Sequence, residues 1–289
     1  MIDIRQSESY AKYLRSIGWT VERIAEINYF IKKMPLVGSI LKLQHPEEIR
    51  METINSLCRK YGVFQIIVEP KNDLDAKFLT SSGFKLSKST YLPSKTLQID
   101  LTQSKDEILS HFKKDARSAV LRASPDGGDR FSIHEYSTPE DLKIFREEWK
   151  KSVKLSRYVP SSEQLIKLKK SFPQNKSLFL ASHNISSRII GGVIFTTSSH
   201  GTSNYISYYW QAFTNSEGRS TLSQYSLLYQ GILWAKKNGY KIFDFEGVFD
   251  SRFPNKNWLG FTHFKHSFGG YEVTYPGCYT KHLFKFFNR

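Results

Sequence analysis

Cysteine is scarce in this sequence: Cys58 and Cys278 are the two among 289 residues. Neither belongs to a CxxC pair, which excludes a disulfide scaffold and fits a reducing compartment. Long apolar runs are lacking too. Stretches such as Val63–Val68 fall well short of the roughly 20 residues a spanning helix needs. The opening segment carries Asp3, Arg5, Glu8, Lys12 and Arg15 and no apolar core, so no export signal is read there. Also missing are GxSxG, GxxxxGK[ST], GxGxxG and HExxH. His263 and His266 are the one close histidine pair with a plausible partner, and two ligands without a third do not specify a metal. These gaps point away from covalent and metal catalysis. They leave transfer chemistry in which the substrates bring nucleophile and leaving group, while the protein supplies position and charge.

Positive charge is plentiful. Lys and Arg number 42 against 27 Asp and Glu, a net charge of +15 with a pI near 9.6. The excess favours anionic partners: nucleic acid, phosphorylated metabolites or an acidic membrane surface. With 39% hydrophobic and 15% aromatic residues the chain is a folded one. At roughly 150 residues per domain the length suggests about two domains. A chain of this size buries about three quarters of its unfolded surface without any staple.

Apolar spacing predicts a helix over 7–17 capped by Ser7, a second over 46–61 ending at Gly62, a strand over 63–68, and a short helix from Asp73 that stops before Gly83. A strand over 96–101 comes next. Ser104 and Glu107 then read as a capping box for one long helix with Ile108, Leu109, Phe112, Ala116, Ala119 and Val120 on one stripe. The opposite stripe holds Lys113, Lys114, Arg117 and Arg122, which is either a solvated face or a polyanion contact. Helices over 138–154 and 161–171, strands over 177–183, 188–197 and 203–211, a long helix from Ser220 to Lys237 and a strand over 240–245 continue the alternation.

Two segments repeat in register. Lys60–Glu69 and Lys237–Glu246 each give a helix end, a capping glycine, a strand and a terminal carboxylate. This is common α/β grammar, but agreement along the whole segment favours two related lobes with the second enlarged. Pro93 interrupts the pattern and sets a boundary that divides the chain into 1–94 and 95–289.

Two segments are candidates for chemistry. Asn215–Thr221 is a small-residue turn feeding a helix, a geometry that holds phosphate or simply caps the helix. It resembles the acyl-CoA phosphate loop [QR]xxGx[GA] of the GNAT superfamily, with Asn at its first position and Ser at its last. Gly260–Gly277 is dense in aromatics, glycines and histidines, a surface on which a base or ribose stacks. Within it, Lys265 is either a fixed cation for a phosphate or oxyanion or a snorkelling strand lysine.

Four motifs occur in order: Thr96-Leu97-Gln98-Ile99-Asp100-Leu101, Arg117 through Ala123, Asp244-Phe245-Glu246-Gly247-Val248, and Phe264-Lys265 with Phe268-Gly269-Gly270. This order resembles that of the Fem-type aminoacyltransferases (FemA, FemB, FemX), whose patterns are T-x-x-I-D-L, R-x-x-[IV]-x-x-A, Y-D-F-x-G and F-K-x-x-F-G-G. The resemblance spans essentially the whole chain, from Gly18-Trp19 to Tyr275-Pro276-Gly277. It departs at Trp210-Gln211-Ala212, where the family has a glycine after the aromatic. No heptad segment interrupts 155–175, so the compact FemX type fits better than the armed FemA and FemB.

The resemblance implies an α/β fold of two tandem GNAT-like lobes, mixed sheets flanked by helices, without a coiled-coil arm. It implies transfer of an amino acid from aminoacyl-tRNA, as co-substrate and without a further cofactor, to the stem-peptide amine of a UDP- or lipid-linked peptidoglycan precursor. A cytoplasmic monomer without metal, in peripheral contact with the inner membrane face, is the matching expectation. Lys265 would stand at the reacting centre with Phe264 beside it, and Glu69 or a substrate carboxylate would assist the amine. Lys12, Arg15, Arg117, Arg157, Tyr209, Asp244, Glu246, Gly269 and Gly270 are the implied substrate-binding positions. An acyl-CoA-dependent N-acyltransferase of the same superfold is the alternative reading, and a non-catalytic RNA-binding module is another.

Overall fold

The computed structural model describes residues 2–122, 131–153, 157–200 and 203–283. Ala123, the last residue of the second motif, lies outside them. In chain order the first elements are α1 (Glu8–Ser16), β1 (Thr20–Ile24), β2 (Ile27–Met34), β3 (Gly38–Gln44), α2 (Met51–Tyr61), β4 (Val63–Glu69), α3 (Asp73–Ser81), β5 (Lys85–Leu86), β6 (Lys95–Asp100), α4 (Lys105–Ser110) and α5 (Lys114–Arg122). Beyond these come β7 (Phe131–Glu135), α6 (Pro139–Val153), α7 (Ser162–Ser171), β8 (Ser177–Asn184), β9 (Ile189–His200), β10 (Ser203–Thr214), α8 (Ser216–Ser220), α9 (Ser223–Lys237), β11 (Ile242–Gly247), α10 (Leu259–His266), β12 (Tyr271–Thr274) and β13 (Tyr279–His282).

The chain forms two compact units. One takes the described residues of 1–96, 249–256 and 273–289, the other those of 97–248 and 257–272. The expectation of two contiguous lobes, 1–94 and 95–289, differs in that each unit takes more than one segment of the chain. The first crossing, after Thr96, falls close to Pro93, but the chain later returns because β13 pairs antiparallel with β4, Tyr279 opposite Val68.

The first unit carries a six-stranded sheet in the order β1-β2-β3-β4-β13-β5. Only the β3–β4 pair is parallel. α2 buries Ile54, Leu57 and Cys58 and ends at Gly62, whose φ of 58° turns the chain into β4. Burial along β4 continues to Glu69.

The second unit carries a seven-stranded sheet in the order β12-β6-β11-β10-β9-β8-β7, with β10 and β11 parallel. Its core gathers Leu97, Ile99, Ile108 and Phe112 with Phe195, Phe243, Phe245 and Phe268. α9 packs here through Leu227, Leu228 and Ile232. A β-carbon on Gly231 would lie 2.0 Å from the Phe195 ring, so that helix needs a residue without a side chain at this point.

Several expected elements differ. α2 begins at Met51, not Pro46. The single helix expected after Ser104 is two, because the chain breaks between Ser110 and Lys114. The 215–221 turn contains α8, and α9 starts only after Leu222 takes a left-handed φ of 57°. Lys265 lies on a helix rather than a strand. Strands β1, β2 and β3 and the C-terminal strands were not legible. Among the described residues the longest helices, α6 and α9, have 15 residues each, and none is long and apolar enough to cross a membrane.

Candidate active site

β11 and α10 build the centre of the second unit. Alternation along Ile242–Gly247 drives Phe243 and Phe245 into the core and brings Asp244, which is also buried, opposite Tyr208 of β10. Asp244 accepts from Gln98 Nε2 at 2.8 Å and from the Glu246 N–H at 2.6 Å. Glu246 has a φ of 59°, a left-handed conformation uncommon outside glycine. The next carbonyl, Gly247 O, accepts from Lys265 Nζ at 2.5 Å.

α10 sets Lys265 in place through its aromatic neighbours. Phe264 packs edge-on against Tyr225, with ring centres 4.8 Å apart, and against Phe268 at 5.4 Å. Lys265 is only 8% exposed, and its Nζ lies 5.7 Å from the centre of the Tyr209 ring. Burial pushes its pKa down to about 8, while Glu246 and Asp244 pull in the opposite direction. A buried ammonium beside carboxylates, still mostly charged at neutral pH, is arranged to act on developing negative charge.

Beside it is a cavity of about 650 Å³, within the range of small-ligand sites. Tyr209, Phe213, Leu222, Tyr225, Phe261 and Phe264 give it apolar walls, and Arg157 and Arg219 add charge. Tyr209 belongs to both places, wall and lysine neighbour. Gln224 Nε2 donates to its hydroxyl at 3.1 Å. Burial lifts the Tyr209 pKa to about 12, against the lowering effects of that bond and of Arg157. Arg157 donates to the Ala212 carbonyl and sits 5.7 Å from the Trp149 ring centre.

The structure therefore brings Lys265, Phe264, Tyr209, Asp244, Glu246 and Arg157 into one region. The other expected positions have contacts of their own. Arg117 Nη2 donates to the Ser110 and Phe112 carbonyls, each at 3.0 Å, and so caps the break between α4 and α5. Gly269 and Gly270 have φ of 73° and 91°. β-Carbons there would lie 2.8 Å from His111 O and 2.4 Å from Gln98 O, so the pair serves close backbone packing. In the first unit, Glu69 is buried, with Oε1 accepting from the Tyr91 and Leu92 N–H groups at 2.8 and 2.6 Å and Oε2 from Gln44 Nε2 at 2.8 Å. Arg15 folds back onto the Val21 carbonyl, and Lys12 is exposed on α1.

The 215–221 turn caps itself. Asn215 Oδ1 accepts from the Gly218 N–H at 2.9 Å. His266 pairs with Glu272 at 3.2 Å, and no group of three metal-ligating side chains occurs among the described residues. Sequence reasoning missed Arg219, Gln224, Tyr225 and Phe261 as cavity residues. Arg219 carried a signal as the cation inside the 215–221 turn, and Phe261 as part of the aromatic Gly260–Gly277 segment.

No family model and no curated protein matches the sequence. Solved structures match by shape. FemX aligns with a TM-score of 0.78 over 97% of this chain and 92% of FemX, at 15% identity. The chain has the tandem GNAT-like fold of FemX. The C-terminal domain of a putative lysylphosphatidylglycerol synthetase from Agrobacterium fabrum aligns at 0.64, over 96% of this chain and 88% of that domain, with 11% identity. A tandem GNAT protein from the clavulanic acid biosynthesis pathway aligns at 0.55, over 89% and 82%, with 10% identity. In this FemX-like fold the lysine centre and the cavity both belong to the second lobe.

Proposed function

We propose that the protein is an aminoacyltransferase that moves an amino acid from aminoacyl-tRNA to the stem-peptide amine of a UDP- or lipid-linked peptidoglycan precursor. The observation that carries this reading is Lys265, an almost fully buried ammonium whose Nζ lies 5.7 Å from the ring centre of Tyr209, a wall residue of the aromatic cavity. The FemX-like fold and the four ordered motifs support it.

The chemistry needs little else. An aminoacyl ester is already activated. The amine attacks the ester carbonyl, a C–N bond forms, the C–O bond to the tRNA ribose breaks, and the proton lost by the amine ends on the departing ribose oxygen. Between these events the carbonyl oxygen carries negative charge. The Lys265 ammonium stabilises that charge, and one preorganised donor of this kind supplies about 3 to 4 kcal/mol of barrier lowering. Lys265 is held ready by Gly247 O, so little reorganisation accompanies the reaction. Glu69, already saturated by three donors, is assigned a structural role in place of a base.

The test is transfer of label from a mixture of aminoacyl-tRNAs to purified precursors. Wild type should transfer at least one label, and Lys265→Met should be slower by about a hundredfold or more. Equal rates would remove Lys265 from the mechanism. The acyl-CoA reading draws on Gly218 and Arg219 in the cavity wall. Asn215 already occupies the Gly218 N–H, so calorimetric titration with acetyl-CoA should show little heat, and tight binding would favour that reading instead.

A further inference from the structure

We infer that the turn joining β2 to β3 is a lipid-facing tip that seats the first unit on an anionic bilayer surface. The tip reads Met34-Pro35-Leu36-Val37. Leu36 is fully exposed, Val37 57% and Met34 38%. The turn is tight, closed by the Val37 N–H donating to Pro35 O at 2.9 Å and by the pairing of Met34 with Gly38. Leu36 holds a φ of 67°. Gly or Asn is the more usual residue at such a position, although Ala25 and Glu26 take positive φ in the β1–β2 reversal too. The observation that bears on the surrounding medium is the side chain, an apolar group held wholly in solvent at the tip.

Cations stand behind the tip. Lys33 is exposed and pairs with Ser39, one step from the turn. Lys32 Nζ donates to Gly18 O at 2.8 Å and lies 5.6 Å from the Trp19 ring centre. Lys32 is two residues from Met34, where the strand ends, about 7 Å at the rise of an extended strand. An interfacial anchor sinks about 5 to 10 Å, which leaves the Trp19–Lys32 pair among the headgroups, where tryptophan and lysine are both favoured. The last turn of α2 adds exposed Arg59 and Lys60. It abuts the tip end of the hairpin through the Ser39 N–H, which donates to Gly62 O at 3.0 Å. Against these four cations stands Glu22, paired with Lys60 at 2.7 Å.

A lipid surface fits this tip better than a protein does. Stable protein interfaces take roughly 20 to 30 residues a side, whereas membrane association needs an apolar tip and nearby cations facing anionic headgroups. The inference gives a place in the fold to the peripheral membrane contact that accompanies the transferase reading, and it is measured without turnover, so either can fail alone.

The experiment is co-sedimentation of the full chain with vesicles of equimolar phosphatidylcholine and phosphatidylglycerol, and with vesicles of phosphatidylcholine alone. Wild type should bind the anionic vesicles, with affinity falling as salt rises. L36N/V37S keeps a residue suited to the left-handed turn while removing the apolar groups, and should bind about a hundredfold more weakly. Lys33→Glu should weaken binding severalfold. Circular dichroism of each variant checks that it is folded. The inference is overturned if wild type does not sediment with anionic vesicles, if it binds uncharged vesicles equally well, or if L36N/V37S binds as wild type does. It is overturned as well if sedimentation velocity shows L36N/V37S changing self-association while vesicle binding stays constant.

Discussion

Replacing Lys265 with methionine separates charge from shape, because the two side chains are of similar length. Burial lowers the lysine pKa from 10.5 to about 8, and at 1.36 kcal/mol for each tenfold this amounts to about 3 kcal/mol. Below pH 8 the group is charged in folded and unfolded chains alike, so the folded state carries that cost in full. As pH rises from about 8 toward 10.5, the unfolded chain binds more protons than the folded one, and wild-type stability climbs. Lys265→Met removes the charge but leaves Gly247 O without its donor, a loss of about 1 to 2 kcal/mol. At pH 7 the variant should therefore be about 1 to 2 kcal/mol more stable than wild type, with the difference vanishing and then reversing by about pH 10. Urea unfolding of both proteins at several pH values, followed by tryptophan fluorescence, measures it. A variant less stable than wild type at pH 7, or a difference that ignores pH, would mean that Lys265 is not a desolvated cation.

The pH dependence of transfer should carry the same signature: the single-turnover rate falls as pH rises through about 8, where Lys265 loses its proton. Glu69→Gln replaces one accepting oxygen with a donor among three donors and should cost about 2 kcal/mol, read as a lower urea midpoint. Gly270→Ala forces a β-carbon to within 2.4 Å of Gln98 O at a φ of 91° and should cost about 2 kcal/mol or more in thermal unfolding. Arg117→Ala removes one exposed and one part-buried bond to carbonyls and should cost about 1 kcal/mol, while changing tRNA affinity less than about twofold.

Elements were legible in the sequence where their signals are local. Gly62 and Gly239 end their helices in left-handed geometry, as glycine after a polar helix end should. Ser7, Ser104 and Ser161 cap α1, α4 and α7 with their side chains. The β1–β2–β3 meander gave no such cue, because its reversals place Ala25, Glu26 and Leu36 at positive φ, where turn grammar expects Gly, Asn or Asp. β2 is buried on both faces over its first five residues, so it also lacks the alternation that marks a half-exposed strand. The break between α4 and α5 is held by Arg117 reaching back to carbonyls, a contact that apolar periodicity does not register.

The repeated segment shows where sequence likeness stops informing about the site. Glu69 and Glu246 stand at the same place in a shared helix, glycine and strand pattern. Their surroundings separate them. Glu69 ends β4 with backbone N–H groups of Tyr91 and Leu92 directed at it, so its charge is consumed in anchoring a segment remote in sequence. Glu246 stands in the left-handed region at the end of β11, and together with Asp244 it keeps the buried Lys265 charged. The difference lies in the chain beyond each strand: a loop folding back over the carboxylate in one case, and α10 delivering an ammonium in the other. Both partners are remote in sequence, Tyr91 by 22 residues and Lys265 by 18 from the Gly247 carbonyl it meets. A local pattern can therefore nominate both acids, while only tertiary structure decides which one serves the lysine centre.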